Sequence, residues 1–292
     1  MPRILTHFRK ALALALDHDM FGVAKGAAYS GMLFSFPAIL VVTTLLARVP
    51  QGTTLEGELR SSLDQFLPAS SLSLVETALE TKHYSSGKLL LSAASLSMFA
   101  GLGLMMSLME GFRRAYELPR GDWAYWQRAA RAFLLVPIVL VPLYLASLLL
   151  VFGHGIEVWT INHADHQLRH IVLFTWRMVR WSIAFATSVS VLAALYHFGT
   201  KRGEHWKWVI PGALGATAVW FPATLLFGWY VTRVANYSMF YGPFAAGIAT
   251  LVWLYISSLS ALLGAELNGV LFRGRQDRLF ANADPPSIAS NF

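Results

Sequence analysis

A chain of 292 residues that is 55% hydrophobic, 13% charged and free of cysteine is not an ordinary soluble domain, in which about a quarter of residues carry charge. The absence of cysteine excludes disulfides, thiolate metal sites and a cysteine nucleophile. The formal charge of +7 is scattered among apolar blocks; that argues against nucleic-acid binding and for the Lys/Arg excess of membrane-protein loops.

From the N-terminus, Ile4, Leu5, Phe8, Leu12, Ala15 and Leu16 are spaced as one apolar face, with Arg3, Arg9 and Lys10 among the polar positions. This predicts an interfacial amphipathic helix over residues 1–20. Asp17, His18 and Asp19 interrupt it, and no small-residue cleavage pattern follows, so it is read as retained rather than as a signal peptide. The first span is expected at 27–46. Gly22, Gly26 and Ser30 share a face on which a neighbouring backbone is expected to approach.

Residues 49–88 turn polar, and two short helices outside the bilayer are expected, around Leu55–Phe66 and Ser71–Leu79. The second span is placed at 89–109, the third at 132–152, the fourth at 181–198, the fifth at 208–231 and the sixth at 242–265. The last contains no charge between Gly242 and Ala265. It rises roughly 36 Å as a helix, enough to cross a hydrocarbon core of about 30 Å. Residues 154–180 read as a polar connection, and 276–292 as a disordered tail.

The expected fold is therefore all-α: one polytopic domain over 1–275 with six transmembrane helices. Six spans put both termini on one side, where 15 of the 23 Lys and Arg fall against 8 on the other. The positive-inside rule then makes the termini cytoplasmic. Pro37, Pro137, Pro142, Pro211 and Pro222 fall inside spans, as hinges for alternating access or as ordinary packing devices.

Several stretches resemble the YihY/BrkB family of membrane proteins. They are Tyr29-Ser30 with Phe34-Ser35-Phe36-Pro37, Pro68, Tyr241-Gly242-Pro243-Phe244, Trp253-Leu254-Tyr255 and Gly264-Ala265-Glu266-Leu267-Asn268. The likeness covers roughly residues 10 to 275. The chain departs from the family pattern at Glu110 and around Glu117, Arg120 and Trp123, so no role is carried over there. The resemblance implies a six-helix bacterial inner-membrane protein, with envelope-linked transport of lipid or small solute as the usual suggestion. It also brings the label ribonuclease BN, regarded as a misassignment.

That label can be tested on the residues. A two-metal nuclease of this type needs His-x-His-x-Asp-His, to gather several imidazoles and a carboxylate in one loop. Asn162-His163-Ala164-Asp165-His166 supplies only the last half, because Ile161 stands where the first His belongs. A solvated loop is the favoured reading, ahead of a weak metal site at His163, His166 and His170. No nucleotide-binding loop, HExxH or GxSxG is present. No metal, cofactor or catalytic residue is assigned, and the expected partners are membrane lipids, with no nucleic acid.

The candidates that remain are polar groups at the cytoplasmic ends of spans. Glu266 is the sharpest, since an ionisable group within a span is costly and marks either a pathway or a structural partner. Topology places Lys25, Tyr29, Glu110, Arg113, Arg114, Glu266 and Asn268 at similar depth. The expectation is that several converge between the first, second and sixth spans; the competing reading is separate side chains snorkelling to water. A transporter or lipid translocator is the first functional expectation, an envelope scaffold the second and a membrane enzyme the third.

Overall fold

The computed structural model describes residues 2–46, 87–119, 124–142, 145, 166–200, 206–233 and 245–282. These form seven helices: α1 (Pro2–Asp17), α2 (Met20–Leu46), α3 (Gly87–Ala115), α4 (125–142), α5 (His166–Gly199), α6 (Trp206–Arg233) and α7 (Ala245–Asn282). Five of them, α2, α3, α5, α6 and α7, are long and apolar enough to cross a membrane. The protein is thus an all-α polytopic membrane protein. The expected third span is described as helix up to 142 and at 145, its other residues lying outside the described ones. The two short outer helices, His163 and Asp165 lie outside them too.

Large apolar side chains such as Phe99, Trp126, Leu134, Phe174, Leu226 and Trp229 are more than half exposed. In water that would be an unstable surface; in lipid it is the solvated one. With no hydrophobic drive to bring helices together inside a bilayer, close packing must do so, and small residues permit it. Helix α7 is the hub of the bundle, in contact with α1, α2, α3 and α6. Its closest approach is to α6. A Cβ on Gly212 would strike the Gly264 carbonyl oxygen, and one on Gly264 would strike the Gly212 carbonyl oxygen and the Tyr196 hydroxyl.

The small face expected on α2 is only partly used. Ser30 does meet Gly103 of α3, whose Cβ would lie 3.3 Å from the serine Oγ. Gly26, however, is exposed and a Cβ there would meet nothing within 4 Å among the described residues, and the atoms nearest a Cβ on Gly22 belong to Asp19 of its own helix cap. The intimate contacts come instead from glycines of α3. Gly101 faces Val136 and Phe34, and Gly111 faces Leu262 and Val23.

Several helices outrun their expected bounds. Helix α5 begins at His166, inside the stretch read as a polar connection, and α7 continues to Asn282, into the stretch read as a disordered tail. A hydropathy window ends where the membrane ends, whereas a helix continues as long as its polar extension finds partners. For α7 one partner is Trp208, over whose ring the Arg275 guanidinium sits at 3.3 Å. The helix runs unbroken through Pro37 in α2, through Pro137 in α4 and through Pro211 and Pro222 in α6.

Candidate functional site

Two tight turns build the polar end of the bundle, and each has a non-glycine residue in the left-handed region. Between α1 and α2 it is Asp19 (φ 53°). Its carbonyl accepts the Val23 N–H at 3.1 Å and its Oδ1 accepts the Gly22 N–H at 3.2 Å, so Asp19 caps α2. After α3 it is Glu117 (φ 51°). There Leu118 N–H reaches the Arg113 carbonyl and Glu117 N–H the Arg114 carbonyl, both at 2.9 Å. That is a Schellman closure, with Pro119 beyond it to prevent continuation. Left-handed backbone costs roughly 1–2 kcal/mol in a residue with a Cβ, and both positions here carry a carboxylate bound to arginine.

The first turn delivers His18. Its Nδ1 lies 2.6 Å from Oε1 of Glu266, whose side chain is fully buried on α7. Its Nε2 lies 3.8 Å from Oε1 of Glu117. Arg273 of α7 donates to that same Glu117 oxygen, and a second bond of 3.5 Å goes to the Ala115 carbonyl. Arg114 donates to the His18 carbonyl at 3.2 Å, lies 3.5 Å from Asp19 Oδ2 and binds Glu110 Oε1 at 3.2 Å. It therefore joins both turns to the body of α3.

Glu110 is the other centre. Arg113 grips it with two nitrogens, Nη2 at 2.6 Å and Nε at 2.9 Å, while Arg128 of α4 approaches to 3.5 Å. Arg113 also donates to the Leu118 carbonyl at 2.9 Å, bracing the closure of its own helix. Three carboxylates (Asp19, Glu110, Glu117) thus meet four guanidinium groups (Arg113, Arg114, Arg128, Arg273), and a fourth, Glu266, meets His18. Phe112, Tyr196 and Leu262, on the same helices or their neighbours, are fully buried. The Tyr196 hydroxyl donates to the Ala261 carbonyl at 2.6 Å, and its ring stands edge-on to Phe112.

Of the residues expected to converge, Glu110, Arg113, Arg114 and Glu266 lie in this cluster. Asn268 turns the other way. Its Oδ1 accepts the Gly212 N–H at 2.7 Å and its Nδ2 donates to the Val209 carbonyl at 3.1 Å, both on α6. Lys25 and Tyr29 stand on the exposed face of α2, apart from the cluster. The turn residues His18, Asp19 and Glu117, together with Arg128 and Arg273, were not among the candidates. For Arg273 a signal was present: it follows Glu266 by seven positions, two helical turns along one face. For His18 the signal was weaker, a polar triplet between two helical patterns. Among the described residues no group of three His, Asp or Glu is placed to hold a metal ion.

Residues 11–287 match the family described as Virulence factor BrkB. The chain is 29% identical to YfkH of Bacillus subtilis, a ribonuclease-like protein by name, over 87% of this chain and 92% of that one. It is 25% identical to a UPF0761 membrane protein of Chromohalobacter salexigens, over 90% of this chain and 62% of the relative, and 24% identical to one of Vibrio vulnificus, over 90% and 82%. No solved structure matches.

Proposed function

Because the chain belongs to the YihY/BrkB (UPF0761) family of bacterial membrane proteins, we propose that it translocates a lipid or small solute across the inner membrane in service of the cell envelope. In this reading the chain crosses six times, α4 belonging to the third crossing, and both termini are cytoplasmic. The Lys/Arg asymmetry supports that orientation. The charged cluster then lies at the cytoplasmic end of the bundle.

The observation that carries the proposal is Glu266. Its carboxylate is fully buried in a helix long enough to span, and its Oε2 has no hydrogen-bond partner among the described residues. An ionised group costs roughly 2.5–3.5 kcal/mol at the bilayer centre on insertion scales and less towards a helix end, and ionisable groups within spans mark substrate or ion pathways. A leucine there would pack without that cost. An envelope scaffold is the second reading, supported by the mutual pairing of the remaining charges, which staples α1, α3, α4 and α7 as a structural lock would. A nuclease, suggested by the name of YfkH, ranks last, because Ile161 stands where the metal motif needs His.

The test is flux in vesicles. Purified protein is reconstituted with fluorescent phosphatidylethanolamine and phosphatidylglycerol, and transbilayer movement is followed by external quenching. Movement faster than in protein-free vesicles, lost in Glu266→Gln and Glu110→Gln, supports translocation. If movement matches protein-free vesicles while Glu266→Gln still supports envelope integrity in cells, the scaffold reading replaces it.

A further inference from the structure

We propose that Glu117, His18 and Glu266 form a proton relay that loads the buried Glu266 carboxylate from the water at the charged end of the bundle. As the coupling step of the translocation proposed above, it rests on that reading; as a proton-binding site it stands on the geometry. The three side chains are graded in exposure, 52% for Glu117, 19% for His18 and 0% for Glu266. The imidazole bridges them, with Nε2 3.8 Å from the outer carboxylate and Nδ1 2.6 Å from the inner one. The two ring nitrogens therefore face opposite ends of a path from water into the protein.

The partners distinguish Glu266 from the other acids. Glu110, Asp19 and Glu117 are each held by arginine, whose guanidinium does not release its proton in proteins. Glu266 is hydrogen-bonded to a histidine instead, the side chain whose charge changes in the physiological range. The charged groups that face it are His18 from the α1–α2 turn, Glu117 from the end of α3 and Arg273 from α7 itself. Asp19 and Arg114 flank His18 on its backbone side. With four carboxylates against four guanidinium groups, the net charge of the cluster is set by one proton on the His18–Glu266 pair.

The step balances without a co-reactant. A proton from water beside Glu117 binds Nε2, the proton on Nδ1 passes to Glu266 Oε1, and one proton has moved inward. Beyond Glu266 the same face of α7 continues with fully buried Leu262. The relay is thus a loading site with one open end. Loading removes the inner charge beside His18 and reverses the hydrogen bond, the neutral carboxyl now donating to Nδ1.

The full chain in phosphatidylethanolamine/phosphatidylglycerol nanodiscs is titrated by infrared difference spectroscopy, which reads the C=O stretch of a neutral carboxylic acid. The expected result is a band that grows as pH falls. It should vanish in Glu266→Gln, persist in Glu110→Gln and shift its midpoint in His18→Gln. A band unchanged in Glu266→Gln, or none that responds to pH, overturns the proposal. Should Glu266→Gln fail to yield folded protein, an unchanged midpoint in His18→Gln overturns it equally. A band without lipid movement in vesicles leaves the proton site standing and removes translocation; lipid movement without the band does the reverse.

Discussion

His18 and Glu266 are 248 positions apart and share a hydrogen bond of 2.6 Å, the contact that ties the N-terminal helix to the hub of the bundle. Breaking a buried pair costs more than never having made it, because the remaining partner stays desolvated. Glu266→Ala is therefore expected to destabilise by about 3 kcal/mol. Glu266→Gln, which can still bond the imidazole, should cost less than half of that. Thermal unfolding of the detergent-solubilised protein, followed by intrinsic tryptophan fluorescence, checks the order. Equal losses in the two variants would mean that the hydrogen bond contributes nothing.

The α6–α7 crossing has no room for a methyl group. Gly212→Ala and Gly264→Ala would each push a Cβ into the other helix's backbone, and each should lower the unfolding temperature markedly. Gly26→Ala is the contrast. Its Cβ would meet nothing within 4 Å among the described residues, and a helix-interior alanine gains about 0.5–1 kcal/mol over glycine. The same melting assay should show opposite signs; a neutral Gly212→Ala would refute the close crossing.

Asn268 is expected to act as a helix clamp. Leucine at this position would leave the Gly212 N–H buried without its side-chain acceptor, at a cost of about 1–3 kcal/mol. Aspartate keeps the acceptor for Gly212 but turns a carboxylate oxygen towards the Val209 carbonyl, which Nδ2 now satisfies. Both variants should be less stable than the parent, with Asn268→Asp recovering as pH falls and the carboxyl regains a donor. Stability of Asn268→Asp measured across acidic pH is the check, and a flat profile would count against the clamp.

At Glu117 conformation and charge can be separated. Glu117→Ala loses the Arg273 ion pair and keeps the left-handed strain, whereas Glu117→Gly loses the pair and removes the strain. The glycine variant should be the more stable of the two by about 1 kcal/mol. Chemical or thermal denaturation of the pair decides it. If the order is reversed, the backbone at 117 is not strained in the folded protein.

What was legible in the sequence was whatever depends on neighbours along the chain. Long apolar runs can hide their backbone polar groups in lipid only as helices, so the membrane spans could be placed from composition. The pairing of Glu110 with Arg113 and Arg114 was within reach for the same reason, since residues three and four apart share a helix face. Helix ends were placed short, because partners such as Trp208 for Arg275 lie on another helix.

Which faces meet was decided by the tertiary structure. Lys25 and Tyr29 share the expected depth with the cluster yet are exposed on α2, and Asn268 lies two residues from Glu266 yet serves α6. Depth follows from a charge count, but azimuth follows from the close packing of Gly212 on Gly264 and of α3 on its neighbours. The turn that aims His18 at Glu266 depends on a left-handed aspartate. No local pattern encodes that meeting, because its two halves come together only when α1 docks on α7.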